Sequence, residues 1–267
     1  MASAASDGRY KVKSLGRALD LLDQIAEGGE AGARLTDLAG ALKMSKAAAH
    51  AILQTLLARG LVSDSGAAQS RRYKLGMALV ALGDRAVKGH GLLDAALPEL
   101  RQLTAMTGLT SRVAILEDGF AVVVGRVDGP GAVRFDAALG RRELPHCSAV
   151  GKALLATLPK ERVSEMLAAL RLEQRTPHTI TSRSALLKEL AAVKRLGYAV
   201  DDEEDTEGVA CIGACVRDRS GAVIGAISAT GPRGRNWSDG KPRLAKVVMD
   251  CAARITRRLG GTPDAGA

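Results

Sequence analysis

An apolar stripe between Ser45 and Gly60 is the feature that most restricts the fold of this chain. Its members lie at i, i+3, i+4, i+7 and i+8, the spacing of one helix face, and are Ala49, Ile52, Leu53, Leu56 and Leu57. Ser45 precedes the stripe as a predicted N-cap, and Gly60 follows it as a predicted stop. We therefore predict a helix that turns one side inward and leaves the other side exposed.

Two shorter helical patterns precede this stripe, and a short hairpin follows it. The apolar residues of the two patterns are Leu15, Ala18, Leu19, Leu22 and Ile25 in the first, and Leu35, Leu38, Ala39 and Leu42 in the second. Gly28-Gly29 stops the first helix. The hairpin consists of residues 61–63, a turn-rich run, and the basic strand 71–75. Three helices and a hairpin in this order predict a winged helix-turn-helix.

A mixed pattern of helices and strands begins near Gly89. A helix holds Leu97, Leu100, Leu103 and Met106, and further helices are predicted at 149–158, 162–170, 185–196 and 243–259. Strands are predicted at 112–116, 120–125, 198–200, 209–217 and 222–230, with Asp118-Gly119 as a hairpin turn. The predicted class is α+β, with an antiparallel sheet flanked by helices, a shape suited to holding a small ligand.

The composition restricts the function classes. With 46% hydrophobic and 25% charged residues, the 267-residue chain belongs to the globular class. Only 2% of residues are aromatic, which argues against a stacking platform for single-stranded nucleic acid. The net charge of +9 suggests a polyanionic partner without identifying it. Four cysteines without a CxxC pair fit a reducing cytoplasm, and no apolar run reaches the ~18 residues of a membrane span.

Several spaced segments carry a resemblance to a known family. In the first half they are residues 14–22 (SLGRALDLL), 35–39 (LTDLA), Ser45-Lys46 with His50, and 71–76 (RRYKLG). In the second half they are residues 146–156 (HCSAVGKALLA), 197–204 (GYAVDDEE) running to Gly208 and Cys211, and 227–232 (ISATGP). Because these segments follow one another in the right order over residues 12–258, the chain resembles the IclR family of bacterial regulators.

The resemblance implies a winged-helix domain, a linker helix and a GAF-like effector-binding domain, in dimers or tetramers that act as repressors or activators. We therefore predict a flexible arm at residues 1–13, a DNA-binding domain at 14–76, a linker helix at 77–88, an effector domain at 89–260 and a flexible tail at 261–267. The expected partners are double-stranded operator DNA, a small effector and further copies of the chain in a homodimer or homotetramer. Neither a cofactor nor a membrane is expected.

The predicted recognition helix offers few polar groups to DNA. The family usually has Ser and Thr after the lysine, whereas this chain has Ala47 and Ala48, which donate no hydrogen bonds to bases. We therefore expect His50 and Gln54 to read bases directly. The expected phosphate contacts come from Lys46, Arg71, Arg72 and Lys74. The full predicted set of DNA contacts is Thr36, Ser45, Lys46, Ala47, Ala48, His50, Ala51, Gln54, Arg71, Arg72 and Lys74.

Two long predicted strands frame an effector site. A four-residue loop at 218–221 would place Cys211 opposite Ser228, and alternation then puts Cys211, Ser228 and Thr230 on one face, beside Val209 and Ile224. The resemblance adds Asp201 and the backbone of Ala149 and Val150, where helix-start amides would suit an anionic group. The predicted effector contacts are Ala149, Val150, Asp201, Val209, Cys211, Ser228 and Thr230. The predicted effector is a small organic acid or an aromatic carboxylate.

The sequence leaves three alternatives to a regulatory function. A cysteine-dependent enzyme would need Cys211 with His146 or His178 as base, but no spacing in the sequence supports such a dyad. A metal-dependent enzyme lacks a convincing ligand set, since Cys211 and Cys215 would lie about 13 Å apart on a strand. The acidic run at 201–207 lacks the central glycine of an EF-hand and is interpreted as a solvated loop. The third alternative is a nucleic-acid-binding scaffold without a ligand.

Overall fold

The structure is a computed structural model that describes residues 12–66, 70–87, 91–130, 139–234 and 237–263. The backbone forms two compact units, which divide between residues 89 and 90. Most of the predicted arm, residues 1–11, lies outside the described residues, as do Lys88 at the end of the predicted linker helix and residues 264–267 of the predicted tail. No helix in the described ranges is long and apolar enough to cross a membrane.

The first unit is a winged helix-turn-helix, as the sequence predicts. Its helices are α1 (Lys13–Glu27), α2 (Leu35–Ala41), α3 (Lys46–Ala58) and α4 (Met77–Val87), with a 3-10 turn at Gly29–Ala31. Strands β1 (Val62–Ser65) and β2 (Arg72–Leu75) form the antiparallel wing. The buried core of the unit comprises Leu21, Ile25, Leu38, Leu53, Leu56, Val62 and Tyr73.

Helix α3 has the predicted orientation. The Ser45 hydroxyl caps the helix by accepting a hydrogen bond from the Ala48 amide at 3.1 Å. Ala49, Leu53 and Leu56 are buried, and Gly60 follows the helix with a φ of +66°. That backbone conformation is left-handed, which explains why the helix ends at a glycine.

Helix α1 buries a different stripe from the predicted one. Leu21 and Ile25 are buried, whereas Leu15 and Leu19 are 59% and 54% exposed. The sequence has leucine at both positions 21 and 22, so its pattern admits two neighbouring stripes. Packing within the three-helix core buries Leu21 with Ile25 of the predicted pattern and places Leu22 against them, so the first half of that pattern, Leu15 and Leu19, faces outward.

The second unit is an α+β domain, in agreement with the predicted class. Its helices are α5 (Leu92–Thr107), α6 (Ala149–Leu155), α7 (Lys160–Ala169), α8 (Arg183–Leu196) and α9 (Trp237–Arg258). Its strands are β3 (Thr110–Glu117), β4 (Phe120–Val127), β5 (Arg142–Glu143), β6 (Ala199–Asp202), β7 (Val209–Arg217) and β8 (Val223–Pro232). They form one antiparallel sheet in the order β5-β4-β3-β8-β7-β6.

The sheet separates two apolar cores. On one side it packs against α5 and α9, and on the other side against α6, α7 and α8. The short strand β5, which the sequence analysis did not predict, extends the sheet beside β4 through Ala121 and Val122. Its place at this edge brings Glu143 into the second unit's interior, where the side chain is buried.

The register of β7 and β8 differs from the predicted one. Arg217 pairs with Val223 instead of Ala222, and a bulge between Val216 and Arg217 adds a second one-residue shift. Cys211 therefore lies opposite Thr230, so the predicted pairing with Ser228 is wrong. Because side chains alternate with a period of two, a shift of two residues restores the original faces. Cys211, Ser228 and Thr230 share one face, as predicted.

Candidate DNA-binding and effector sites

The outer side of α3 presents the side chains that the sequence assigns to DNA. Lys46, Ala47, His50, Ala51 and Gln54 are all exposed, whereas Ala48 is half-buried beside the Ser45 cap. The His50 Nε2 and Gln54 Nε2 atoms lie 3.3 Å apart, one helical turn from each other. Lys46 stands in the first turn of the helix. This side of α3 therefore combines a polar pair at mid-helix with one cation near the start.

The remaining predicted DNA contacts lie on α2 and the wing. Thr36 is exposed in the first turn of α2 and donates to Asp37 Oδ1 at 3.2 Å. In the wing, Arg71 forms an ion pair with Asp64, with 3.3 Å between Nε and Oδ2. Arg72 Nη1 donates to the Gly32 carbonyl at 3.0 Å, and Lys74 is exposed. Both arginines are thus held by the protein itself, which fixes where their remaining donors point.

Four of the predicted effector residues meet on the face of the sheet that packs against α6. Across one row, Asp201 on β6 pairs with Cys211 on β7, and Cys211 pairs with Thr230 on β8. In the next row Gly213 pairs with Ser228. Asp201, Cys211, Ser228 and Thr230 are each no more than 3% exposed. Val209 lies at the end of β7 opposite Pro232 and is half-buried.

The first turn of α6 lies directly on this face. Ser148 caps the helix, and its hydroxyl accepts a hydrogen bond from the Gly151 amide at 3.2 Å. A Cβ on Gly213 would meet the Ala149 carbonyl carbon and oxygen at 2.9 Å and the Val150 nitrogen at 3.1 Å. Only a glycine allows this approach, and it brings Ala149 and Val150 next to the other predicted effector residues.

Arg112 and Glu143 also belong to this site, although the sequence analysis assigned them no role. Arg112 on β3 pairs with Ser228, and its Nη1 donates to Glu143 Oε1 at 2.5 Å. Its Nη2 donates to Thr230 Oγ1 at 2.8 Å and lies 3.7 Å from Cys211 Sγ. Burial lowers the pKa of the guanidinium, but Glu143 and neighbouring acidic groups outweigh it, so the net shift is upward. The sequence feature that could have indicated a role for Arg112 is a charged residue within an otherwise apolar predicted strand.

The acidic run at 201–207 begins within β6 and is only partly the solvated loop that the sequence suggested, since Thr206 and Glu207 are exposed. Asp201 and Glu204 are buried, and the Asp201 carboxylate accepts hydrogen bonds from the amides of Glu204 and Asp205 at 2.8 and 3.3 Å. Burial raises the pKa of Asp201 to about 6. Lys152 on α6 is fully buried and forms an ion pair with Glu204, which offsets part of the cost of burying that carboxylate. Glu189 on α8 lies on its other side, with 3.6 Å between Nζ and Oε1.

The cysteine chemistry of the site is that of a buried thiol. Burial raises the pKa of Cys211 above its ordinary range, which disfavours the nucleophilic thiolate. The thiol contacts Arg112, while His146 Nε2 lies 3.0 Å from the Glu173 carbonyl oxygen. Within the described parts of the chain, no group of three or more His, Cys, Asp or Glu side chains is arranged to hold a metal ion.

Comparison with known proteins covers both units. The family model described as "IclR helix-turn-helix domain" matches residues 14–65, and that described as "Bacterial transcriptional regulator IclR C-terminal" matches residues 84–257. The glycerol operon regulatory protein of Streptomyces griseus is 36% identical over 93% of this chain and 97% of its own length. The transcriptional repressor IclR of Escherichia coli is 32% identical over 97% of this chain and 94% of its own.

A solved structure of the Thermotoga maritima IclR protein has a TM-score of 0.81 at 26% identity and covers 93% of this chain and 99% of that one. The match extends over the winged helix and the sheet domain together, in agreement with the order of elements described above. The chain therefore belongs to the IclR family of bacterial transcriptional regulators, with an N-terminal DNA-binding domain and a C-terminal effector domain.

Proposed function

We propose that this protein binds operator DNA as a dimer or tetramer and changes its operator affinity when a small organic acid occupies the site on the second unit's sheet. The observation that carries the DNA-binding half is the exposed side of α3, with Lys46, His50 and Gln54 facing away from the core. A helix in this position of a winged helix-turn-helix enters the major groove. The protein acts on operator DNA and therefore in the cytoplasm.

The proposed effector contacts are the residues brought together around Cys211. They are Ala149, Val150, Asp201, Val209, Cys211, Ser228 and Thr230, and we add Arg112 to them. A buried guanidinium beside two hydroxyl groups is chemistry that suits a carboxylate, because arginine donors match carboxylate oxygens in geometry and charge. This supports an organic acid or an aromatic carboxylate as the effector class.

The proposed response is thermodynamic linkage. An effector that binds one arrangement of the DNA-binding domains more tightly than another shifts the population toward that arrangement and changes the operator affinity. Assembly of several copies is supported by apolar side chains on α4, where Met77, Val80 and Leu82 are 76%, 59% and 55% exposed. A dimer would bind two half-sites about one helical turn, or a multiple of it, apart.

Two substitutions on α3 test the DNA contacts. We expect Gln54→Ala to weaken binding to the protein's own upstream promoter fragment by about 1–3 kcal/mol and to relax its sequence preference, because a base contact is lost. We expect Lys46→Glu to weaken binding to all DNA sequences and to reduce the slope of log affinity against log salt, because a phosphate contact is lost. Fluorescence anisotropy at several salt concentrations measures both effects.

Lys188→Glu on α8 is the matched control, since it makes the same change of charge on an exposed residue of the second unit. It should leave both the affinity and the slope close to those of the unchanged protein. Charge reversal at Arg71 and Arg72 should also flatten the salt dependence if the wing contacts phosphates. Full DNA binding by both α3 variants would contradict the proposal.

A further inference from the structure

Three buried polar atoms at the proposed effector site have no partner among the residues that the structure describes. They are Arg112 Nε, Glu143 Oε2 and Ser228 Oγ. The three residues are 8%, 7% and 0% exposed as a whole, respectively. Buried polar groups in folded proteins are nearly always hydrogen-bonded, so three open ones together require an explanation.

The three atoms are neighbours by register and by contact. Arg112 on β3 lies directly opposite Ser228 on β8, and the same guanidinium holds Glu143 through Nη1. Its Nη2 is already engaged with Thr230. The open positions are therefore one N–H and one hydroxyl on adjacent strands, with one carboxylate oxygen beside them.

These open positions differ in chemistry. Arg112 Nε can only donate, and a carboxylate oxygen of Glu143 can only accept, whereas the Ser228 hydroxyl can do either. A bound molecule must then offer an acceptor to Arg112 and a donor to Glu143, whereas Ser228 can be paired with either. A plain carboxylate supplies acceptors only and therefore leaves Glu143 Oε2 without a donor.

A hydroxyl group close to a carboxylate meets both requirements. Its carboxylate oxygens would accept from Arg112 Nε and Ser228, and its hydroxyl would donate to Glu143 Oε2. We propose that the Arg112–Glu143 pair makes this protein selective for hydroxy acids over the parent acids that lack the hydroxyl. This inference rests on the proposed function, because it concerns the same effector site and names the chemical class that fits it.

The ion pair itself supports a role in selectivity. Arg112 and Glu143 are both buried, at side-chain exposures of 10% and 6%. Burying two charges costs free energy that their mutual attraction often fails to recover, so an apolar pair of similar volume would serve the fold as well or better. A site built to hydrogen-bond a ligand hydroxyl rejects the analogue without it, because the protein group is left unpaired.

The test compares matched acids on the full-length protein. Acetate and glycolate, propionate and lactate, and 3-phenylpropionate and 3-phenyllactate differ only by the hydroxyl. Isothermal titration calorimetry should show, for the pair that binds, at least about tenfold tighter binding of the hydroxy acid. Equal or tighter binding of a parent acid would overturn the proposal, and so would the absence of binding by every acid at millimolar concentration.

Two double variants test whether the Arg112–Glu143 ion pair causes the preference for hydroxy acids. Arg112→Met combined with Glu143→Leu removes both charges, and the ratio of the two affinities should fall to about one. Arg162→Met with Glu165→Leu makes the same exchange at an exposed ion pair on α7 and should keep the full ratio. Should the buried double variant fail to fold, Glu143→Gln is the alternative, because it keeps the shape of the side chain but replaces one carboxylate oxygen with an amide nitrogen. It should also lower the ratio of the hydroxy-acid affinity to the parent-acid affinity. A ratio unchanged in a folded variant shows that the pair has no part in selectivity.

Anisotropy with the upstream promoter fragment separates this inference from the proposed function. If a parent acid alters operator affinity as strongly as its hydroxy acid, the preference is wrong while ligand-responsive regulation stands. If the acids bind with the expected preference but leave operator affinity unchanged, the selectivity stands and the proposed regulatory response fails.

Discussion

Asp201 shows how strongly the folded environment can change the chemistry of a single carboxylate. In sequence it begins a run of carboxylates, which is typical of a solvated loop. In the structure it is 3% exposed, and its side chain holds the amides of Glu204 and Asp205 in place. Burial raises its pKa from the ordinary range of an aspartate to about 6, and the hydrogen bonds and Lys152 reduce this shift without cancelling it.

A pH dependence of stability follows for Asp201. Between about pH 4 and pH 6 the unfolded chain has lost this proton while the folded chain keeps it, so the folded state binds more protons. The contribution of Asp201 to the free energy of unfolding is therefore fully present below about pH 4, falls as the pH rises, and levels off above about pH 6. We expect a loss of roughly 1–3 kcal/mol over this range.

Urea unfolding at several pH values measures this contribution as the difference between the unchanged protein and Asp201→Asn. The variant keeps a side-chain oxygen for the Glu204 amide but does not titrate. Glu204 remains in both proteins, but the Asp201 charge raises its pKa, so the difference reports Asp201 together with this coupling. Parallel pH profiles of the two proteins would contradict the assignment.

At the scale of elements, the junction between β7 and α6 positions the proposed effector site. The helix is only seven residues long, and all seven are buried against the sheet and its neighbours. Gly213 allows this contact because a Cβ would lie 2.9 Å from the Ala149 backbone. The absent side chain on β7 therefore determines how closely the first turn of α6 approaches Cys211 and Asp201.

Gly213→Ala should move the first turn of α6 away from the sheet. We expect the free energy of unfolding to fall by about 1–3 kcal/mol, because the added methyl group meets backbone atoms that cannot rotate away. Gly240→Ala on α9 is the control, since a Cβ there meets nothing within 4 Å. It should be neutral or stabilise the helix by up to about 1 kcal/mol. Equal effects of the two substitutions in urea unfolding would show that the junction is not tightly packed.

Strand register shows which part of an element the sequence specifies. Alternation in 209–217 and 222–230 predicts that Cys211, Ser228 and Thr230 share a face, and the structure agrees. The prediction that Ile224 lies beside them is wrong, since Ile224 packs on the α5 and α9 side of the sheet. The pairing of Cys211 was wrong by two residues, one from the loop and one from the bulge between Val216 and Arg217, and neither shift leaves a mark on the apolar pattern. Alternation is a property of one strand, whereas register depends on two strands and the turn between them.

At the scale of the whole molecule, the proposed linkage between effector and operator has a reciprocal consequence. If the effector changes operator affinity by some factor, the operator must change effector affinity by the same factor. For a typical coupling this factor lies at about 5–150-fold. Calorimetric titration of the hydroxy acid into free protein and into the protein–operator complex gives the ratio of the two effector affinities. We expect this ratio to equal the ratio of operator affinities that anisotropy gives with and without the hydroxy acid.

A non-operator duplex of the same length, at the same salt concentration, is the control for charge effects on the calorimetric titration. It should leave the effector affinity nearly unchanged, since it does not select one arrangement of the DNA-binding domains. Unequal factors in the two titrations would exclude simple linkage between the two sites.

The winged helix, the inward stripe of α3 and the shared face of Cys211, Ser228 and Thr230 follow from the sequence alone. These depend on residues within one element, where the spacing of apolar side chains directly reflects a helix or strand period. Tertiary structure alone decided that Arg112 meets Glu143, 31 positions away, and that Lys152 meets Glu204, 52 positions away. Such pairs arise when distant elements become neighbours, and the burial that makes their charges matter depends on everything packed around them.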